Sequence, residues 1–145
     1  MLYKTRGIVL RADKYSESSL LVRIYTEHFG LQAYIVNAVR KKNAKVKANV
    51  FQPLSLVEMV AYHKENRGLQ RLSEIRIQPQ FTSIPNDIIK TSIVFFLKEV
   101  LCKCLREEEA DASLFEFLFS SISILDERTA DCSEFHLVFL LQLTK

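Results

Sequence analysis

The sequence is poor in the residues that catalytic and metal-binding motifs require. Its 145 residues include three glycines, three histidines and no tryptophan. The glycines are far apart, which excludes a glycine-rich loop that cradles a phosphate. His28, His63 and His136 fall in separate predicted elements, so they form neither a metal cluster nor a nucleophile–base pair. The sequence therefore gives no support to an enzyme, and no cofactor or metal is expected.

Cysteines and long apolar runs are also scarce. The spacing of Cys102, Cys104 and Cys132 fits neither a zinc nor a redox motif, in which cysteines occur in closely spaced pairs. Cys102 and Cys104 lie two positions apart on a predicted helix, so they face different directions and are expected to be small core residues. Neither a signal peptide nor a run of ~20 apolar residues is present. We expect a soluble cytoplasmic protein with reduced thiols and no membrane partner.

Charge is segregated along the chain, although the formal net charge is only +3. Residues 1–80 carry a net charge of +8, and residues 81–145 carry −5. Within residues 40–47, five of the eight side chains are cationic and none is acidic. Such a run is self-repulsive, so a compact domain that carries one usually meets a polyanion, here expected to be nucleic acid. A solvated surface loop is the plainer alternative.

The first half of the sequence has the period-two alternation of half-buried strands. Five strands are predicted, at residues 3–13, 19–26, 31–38, 54–62 and 69–77. Gly30 can adopt a positive φ before the third strand. Five short strands with a long basic connection after the third fit an OB-type barrel, and an SH3-like barrel is the competing topology that strand spacing does not exclude. OB barrels commonly bind oligonucleotides across strands two and three.

The second half has apolar residues at three- and four-residue steps, which is typical of helices. The first predicted helix has Pro85 in its first turn, with Ser83 or Asn86 as its cap, and runs to about Leu105. The second begins near Ser113, with the capping-box spacing of Ser113 and Glu116, and ends near Asp126; the third runs from about Ser133 to the last residue. The third has no stop signal, so we expect the helical part to be truncated.

The predicted fold class is α+β. A five-stranded OB-type barrel is expected over residues 1–80 and an incomplete α-helical domain over residues 81–145.

Short segments spread in order over the whole chain carry a family likeness. They include Thr5-Arg6-Gly7-Ile8-Val9-Leu10, Tyr15-Ser16-Glu17-Ser18-Ser19-Leu20, Arg40-Lys41-Lys42, Leu54-Ser55-Leu56-Val57-Glu58, Leu72-Ser73-Glu74-Ile75 and Phe95-Phe96-Leu97-Lys98-Glu99. Each segment is weakly diagnostic alone. Together they resemble the bacterial recombination-mediator family RecO.

The resemblance implies an N-terminal OB domain followed by an α-helical domain. RecO-like proteins bind single- and double-stranded DNA and anneal complementary strands. They act with RecR and single-stranded-DNA-binding protein to load the RecA recombinase at gaps, so a nucleoid-associated, non-catalytic protein is implied. The region where some members hold a zinc-binding cysteine cluster has no counterpart in this chain, and partner sites seated there are not carried over.

The predicted DNA contacts combine phosphate neutralisation by cations with base stacking on aromatic rings. They are Arg6, Arg23, Tyr25, Tyr34, Arg40, Lys41, Lys42, Lys45, Lys47, Arg67 and Arg71. A strand tyrosine more often completes packing, and Arg67 and Arg71 are equally well explained as ordinary surface charge. The alternative function is a protein-interaction scaffold whose basic barrel binds an acidic partner.

Overall fold

The computed structural model describes residues 2–17, 19–36, 51–62, 69–77, 88–105 and 111–127. Within them the chain forms five strands followed by two helices, which confirms the predicted α+β order. The elements are β1 (Leu2–Lys14), β2 (Leu20–Thr26), β3 (Gly30–Val36), β4 (Leu56–Tyr62), β5 (Leu69–Ile77), α1 (Ile88–Cys104) and α2 (Ala112–Glu127). The predicted third helix and the predicted domain boundary after residue 80 lie outside the described residues.

The five strands close into a barrel in the order β1-β2-β3-β5-β4. Strand β3 pairs with β5 in parallel, and β1 closes the barrel by antiparallel pairing with β4. A consecutive meander would instead place β4 beside β3. The order is that of an OB-type Greek-key barrel, so the predicted barrel type is confirmed and the SH3-like alternative is wrong.

The barrel interior is one apolar core. Its buried members are Val9, Val22, Ile24, Tyr34, Val36, Phe51, Val57, Met59 and Ala61. Gly7 lies where β1 crosses this core, and a Cβ there would be 2.6 Å from Ile24 Cγ2 and 3.2 Å from Met59 Sδ. The sequence therefore needs glycine at this position to let the two side chains fill the interior.

A second apolar core joins the outside of the barrel to the helices. Across four strands, a row of paired residues contributes Leu31, Tyr25, Ile8 and Leu56. The helices contribute Ile93, Val94, Leu97, Leu101, Phe115, Leu118, Ile122 and Leu125. The start of α1 meets the end of α2, where Lys90 Nζ donates to the Asp126 carbonyl at 3.2 Å. The helices thus run antiparallel and cover one outer face of the barrel.

A β-bulge in β1 sets which side chains face outward. The pairing with β2 shifts register between Val9 and Arg11. Val9 packs in the barrel interior, Leu10 packs under the helices, Arg11 is exposed, and Ala12 again packs against the interior. Strict alternation would turn Arg11 inward, so the bulge re-aims this cation to the outer surface.

Two element starts depart from the prediction for physical reasons that the structure shows. Strand β4 begins at Leu56 rather than at residue 54, because Leu54 has a φ of 59° and ends a turn. This left-handed leucine is held by its buried side chain and by its N–H, which donates to the Val9 carbonyl at 2.7 Å. Helix α2 is capped by Asp111, whose Oδ1 accepts from the Leu114 N–H at 3.0 Å, and not by the predicted Ser113.

The close approach at Gly7 predicts the effect of one added methyl group. Gly7→Ala forces the Ile24 side chain or the strand to move, so the free energy of unfolding should fall by about 1–3 kcal/mol. Urea denaturation followed by circular dichroism measures this loss. Lys4→Ala, at an exposed position of the same strand, is the control and should change stability by less than about 0.5 kcal/mol. Equal losses in both variants would contradict the packing explanation.

Candidate nucleic-acid interface

The outer barrel face beyond the helices carries arginines on three strands. Arg23 on β2 is directly paired with Arg11 on β1, and Arg71 on β5 is paired with Ile35 on β3. Directly opposed residues of neighbouring strands bring their Cβ atoms within about 5 Å. Arg11 and Arg71 are exposed and Arg23 is half-buried. This surface spans the strands with which OB barrels commonly bind oligonucleotides.

Both ends of the basic connection are fixed at one end of this barrel. Residues 37–50, which include the predicted contacts Arg40, Lys41, Lys42, Lys45 and Lys47, lie outside the described residues. The flanking residues Val36 and Phe51 are both buried in the barrel interior. Val36 pairs with Leu20, and Leu20 pairs with Lys14. The described structure therefore stops near the β1–β2 turn at Val36, and it resumes at Phe51, which lines a cleft with Ala12 and Asp13 of β1.

Two exposed tyrosines lie at strand ends, one of them beside Arg71, and the sequence prediction missed them. Tyr62, at the end of β4, is paired with Arg71 and is 45% exposed. Tyr15, in the β1–β2 turn, is 54% exposed. Their position in the sequence could have identified them. Each tyrosine lies at a strand end next to a loop, where its ring is covered neither by the barrel interior nor by the helices.

The two tyrosines that were predicted to stack on bases are buried, so that prediction is wrong. Tyr34 points into the barrel interior and has no exposed surface. Tyr25 is 2% exposed and packs against Phe115 of α2, with ring centroids 6.1 Å apart. Burial raises the pKa of the Tyr34 hydroxyl above its ordinary value. Neither ring can offer a face to a base.

Arg6, a predicted phosphate contact, is engaged by carboxylates and aromatic rings of the protein itself. Its Nε and Nη2 donate to the two carboxylate oxygens of Glu27 at 3.1 and 2.9 Å, and Nη2 also donates to Glu116 Oε2 at 2.8 Å. The guanidinium lies over the rings of Phe115 and Phe119, at 5.3 and 4.7 Å from their centroids. Arg6 therefore ties β1 and the β2–β3 turn to α2.

Arg6 and Glu27 each stabilise the charged form of the other. The Glu27 hydrogen bonds raise the pKa of Arg6 above its ordinary value, although burial opposes the rise. In return, the Arg6 hydrogen bonds lower the pKa of Glu27, against a smaller opposing effect of burial. A bidentate guanidinium–carboxylate pair of this geometry is stronger than a single-contact ion pair.

Both halves of the chain match models of known protein families. Residues 1–81 match the family model described as Recombination protein O N terminal, and residues 85–145 match Recombination protein O C terminal. The chain belongs to the RecO family.

The similar curated proteins described next are all named DNA repair protein RecO. The DNA repair protein RecO of Bacteroides fragilis is 43% identical over 145 residues, which is all of this chain and 60% of the relative. That of Flavobacterium psychrophilum is 40% identical, over all of this chain and 61% of the relative. That of Porphyromonas gingivalis is 31% identical, over 99% of this chain and 59% of the relative. The chain thus spans about three fifths of the length of the curated RecO relatives it matches.

Of the arginines and lysines predicted to contact DNA in this RecO chain, the structure places Arg23 and Arg71 on one outer surface. Arg67 and the cations of residues 40–47 lie outside the described residues, so their contacts stay predictions. Within the described part, no cluster of three metal-ligating side chains occurs. Neither α1 nor α2 has the length and apolarity needed to cross a membrane.

The interior position of Tyr34 predicts that its hydroxyl is dispensable. Its oxygen is buried without a hydrogen-bond partner among the described residues, so Tyr34→Phe should leave stability unchanged or raise it by about 1 kcal/mol. Tyr34→Ala should cost about 3–5 kcal/mol because it leaves a cavity. Thermal denaturation distinguishes the two variants. A loss of single-stranded DNA affinity in folded Tyr34→Phe would restore a direct role for this ring.

The Arg6 tie predicts a loss of stability that depends on pH. Arg6→Ala should lower the free energy of unfolding by about 1–2 kcal/mol near neutral pH, because charged hydrogen bonds and a cation–π contact are lost. Because the pKa of folded Glu27 is lowered, the stabilisation is present above the ordinary glutamate pKa of 4.5 and disappears as pH falls through the folded value.

Denaturation of both proteins across this pH range measures the difference. Arg6→Lys should give an intermediate loss, since an ammonium group cannot hold both Glu27 oxygens in the same plane. Arg76→Ala, which removes an exposed pair with Glu58, is the control and should lose less. A difference between wild type and Arg6→Ala that stays constant at acidic pH would exclude the Glu27 contact as its source.

Proposed function

We propose that this chain is a non-catalytic DNA-binding protein of recombinational DNA repair. It binds single- and double-stranded DNA through the basic side of its OB-type barrel. Membership of the RecO family and the charge segregation along the sequence support this function. The observation that carries it is the outer face of Arg11, Arg23 and Arg71 beside the fixed ends of the basic connection.

Phosphate contacts supply the affinity. Arg23 and Arg71 lie on the barrel surface, and Arg40, Lys41, Lys42, Lys45 and Lys47 follow β3 in sequence. These groups neutralise backbone phosphates and release counterions. Because phosphates carry no base information, the contacts do not select a sequence. If all five cations of residues 40–47 engage a single strand, the slope of log K against log salt should be about −3.5 from these contacts alone.

Base contacts are supplied by exposed rings. Tyr62 beside Arg71, and Tyr15 in the β1–β2 turn, take the role that Tyr25 and Tyr34 cannot play. A stacked base keeps its Watson–Crick edge free, and a strand held by its phosphates can still pair. This arrangement supports annealing of complementary strands.

Partners complete the proposed role. In the cell this protein acts with RecR and single-stranded-DNA-binding protein to load the recombinase RecA at gaps. The resemblance to RecO supports these partners. The rival function, a scaffold for an acidic protein partner, uses the same basic surface and makes a different prediction.

Charge reversal in the basic connection separates the two functions. Lys41→Glu with Lys42→Glu should weaken binding to a labelled single-stranded oligothymidylate at least about tenfold and make the salt slope less steep by about 1.4. Fluorescence anisotropy at several salt concentrations measures both. The matched control is Lys4→Glu with Lys103→Glu. It changes the net charge by the same amount at two exposed positions that are not among the proposed DNA contacts.

The control should keep most of the wild-type affinity. If the Lys41/Lys42 variant binds DNA as tightly as wild type and instead loses an acidic protein partner, the scaffold function replaces the DNA-binding one. If both double variants lose the same affinity, the effect comes from net charge and the basic connection has no special role.

A further inference from the structure

A cleft lies at the seam between the barrel and α1, next to the arginine surface. It has a volume of about 300 Å³ and is lined by Leu10, Arg11, Ala12, Asp13, Phe51, Pro53, Lys98 and Glu99. Leu10 and Phe51 lie beneath it and are almost fully buried, so they expose little apolar surface to the cleft. Its rim is charged and comes from β1 and α1.

Three cations from three elements converge at this seam. Arg11 on β1 and Arg23 on β2 are direct cross-strand neighbours, and Lys98 on α1 lines the cleft with Arg11. Burial raises the pKa of the half-buried Cys102 thiol; Lys98, Arg11 and Arg23 oppose this rise, and Glu99 adds to it.

This clustering is unfavourable for the isolated protein. Like charges directly opposite each other on neighbouring strands destabilise a sheet. Moreover, Arg11 reaches the outer face only because of the bulge after Val9, since regular alternation would have turned it inward. Exposed acids offset part of the repulsion: Arg11 pairs with Asp13 at 2.7 Å and Lys98 pairs with Glu99 at 3.3 Å. Such exposed pairs are weak, so an incoming anion can replace the carboxylates.

We propose that this cleft is a phosphodiester-binding subsite, in which Arg11 and Lys98 contact the backbone of the DNA strand that also crosses Arg23. This subsite rests on the proposed DNA-binding function and extends its path from the β2–β3 face onto the helical layer. Arg11 and Lys98 hold the phosphate there in place of their carboxylate partners Asp13 and Glu99.

Continuity with the basic connection favours nucleic acid over an acidic peptide. Phe51 and Pro53, which line the cleft, are among the first described residues after the five cations of residues 40–47. On the other side, Arg11 is paired with Arg23 of the DNA-binding face. One strand can therefore cross the cleft and the barrel face in succession. A short acidic peptide would need only the cleft.

Neutralising the rim tests the subsite. Arg11→Gln with Lys98→Gln should weaken binding to oligothymidylate about fivefold to tenfold, and should make the salt slope less steep by about 1.4, because two phosphate contacts are lost. Lys4→Gln with Lys103→Gln removes the same charge at two exposed positions that do not line the cleft, and should change affinity by less than about twofold. Anisotropy titration at several salt concentrations measures all three proteins, and circular dichroism checks that each is folded.

A gain-of-function variant keeps the test informative if the double variant is unstable. Asp13→Asn frees Arg11 and removes a repulsive carboxylate from the rim, so affinity for oligothymidylate should rise about twofold or more. Misfolding cannot produce this gain. An unchanged or lower affinity of folded Asp13→Asn would overturn the subsite.

The remaining outcomes separate this subsite from the function on which it rests. If wild type binds oligothymidylate and the Arg11/Lys98 variant keeps its affinity and slope, the subsite is wrong while the DNA-binding function stands. If that variant instead loses binding only to a labelled oligoglutamate peptide, the cleft is a protein-docking site. If wild type binds no oligothymidylate, the proposed function itself fails.

Discussion

The structure depends on an apolar core that the barrel and the helices share. The outer row formed by Leu31, Tyr25, Ile8 and Leu56 would be an exposed hydrophobic patch on an isolated barrel, and α1 and α2 bury it. Burial of one large apolar side chain contributes about 1.5–3 kcal/mol, so several such residues amount to a large part of the stability of a small domain. The barrel and the two described helices are therefore one energetic unit.

This shared core also decides where a ligand can bind. Once helices occupy the face around Tyr25, the barrel can offer nucleic acid only the part of β2 and β3 that lies beyond it. The arginines on the helix-covered and the uncovered sides of the barrel have different surroundings. Arg6, on the helix side, is neutralised by Glu27 and Glu116. Arg11, Arg23 and Arg71 lie on the outer surface beyond the helices, where Arg11 pairs with the exposed carboxylate of Asp13.

Local pattern predicted the elements well, because strand alternation, helix periodicity and turn residues are local properties. The OB-type barrel, the order of the elements and the positive φ of Gly30 were all predictable, and the structure confirms them. Alternation also correctly puts Arg23 and Tyr25 on one face of β2. Alternation within β2 cannot reveal that Phe115, ninety positions later in the sequence, covers Tyr25.

Three features of the site depend on information that alternation does not contain. Strand β3 carries the polar residue Gln32 on the same face as Tyr34, so its pattern did not show that Tyr34 points inward. The bulge after Val9 is marked by neither glycine nor proline, so Arg11 could not be assigned to the outer face. The partners of Arg6 are 21 and 110 residues away in sequence. In each case a long-range contact overrides the local signal.

Amide hydrogen exchange with and without oligothymidylate tests the central claim most directly. We predict that β1, β2 and both helices exchange with similar high protection in the free protein, as one unit. Added DNA should increase protection at the ends of β1 and β5 near Arg11 and Arg71 and at residues 51–54, and leave α2 unchanged. Helices that exchange independently of the barrel, or DNA protection centred on α2 and Arg6, would contradict the account.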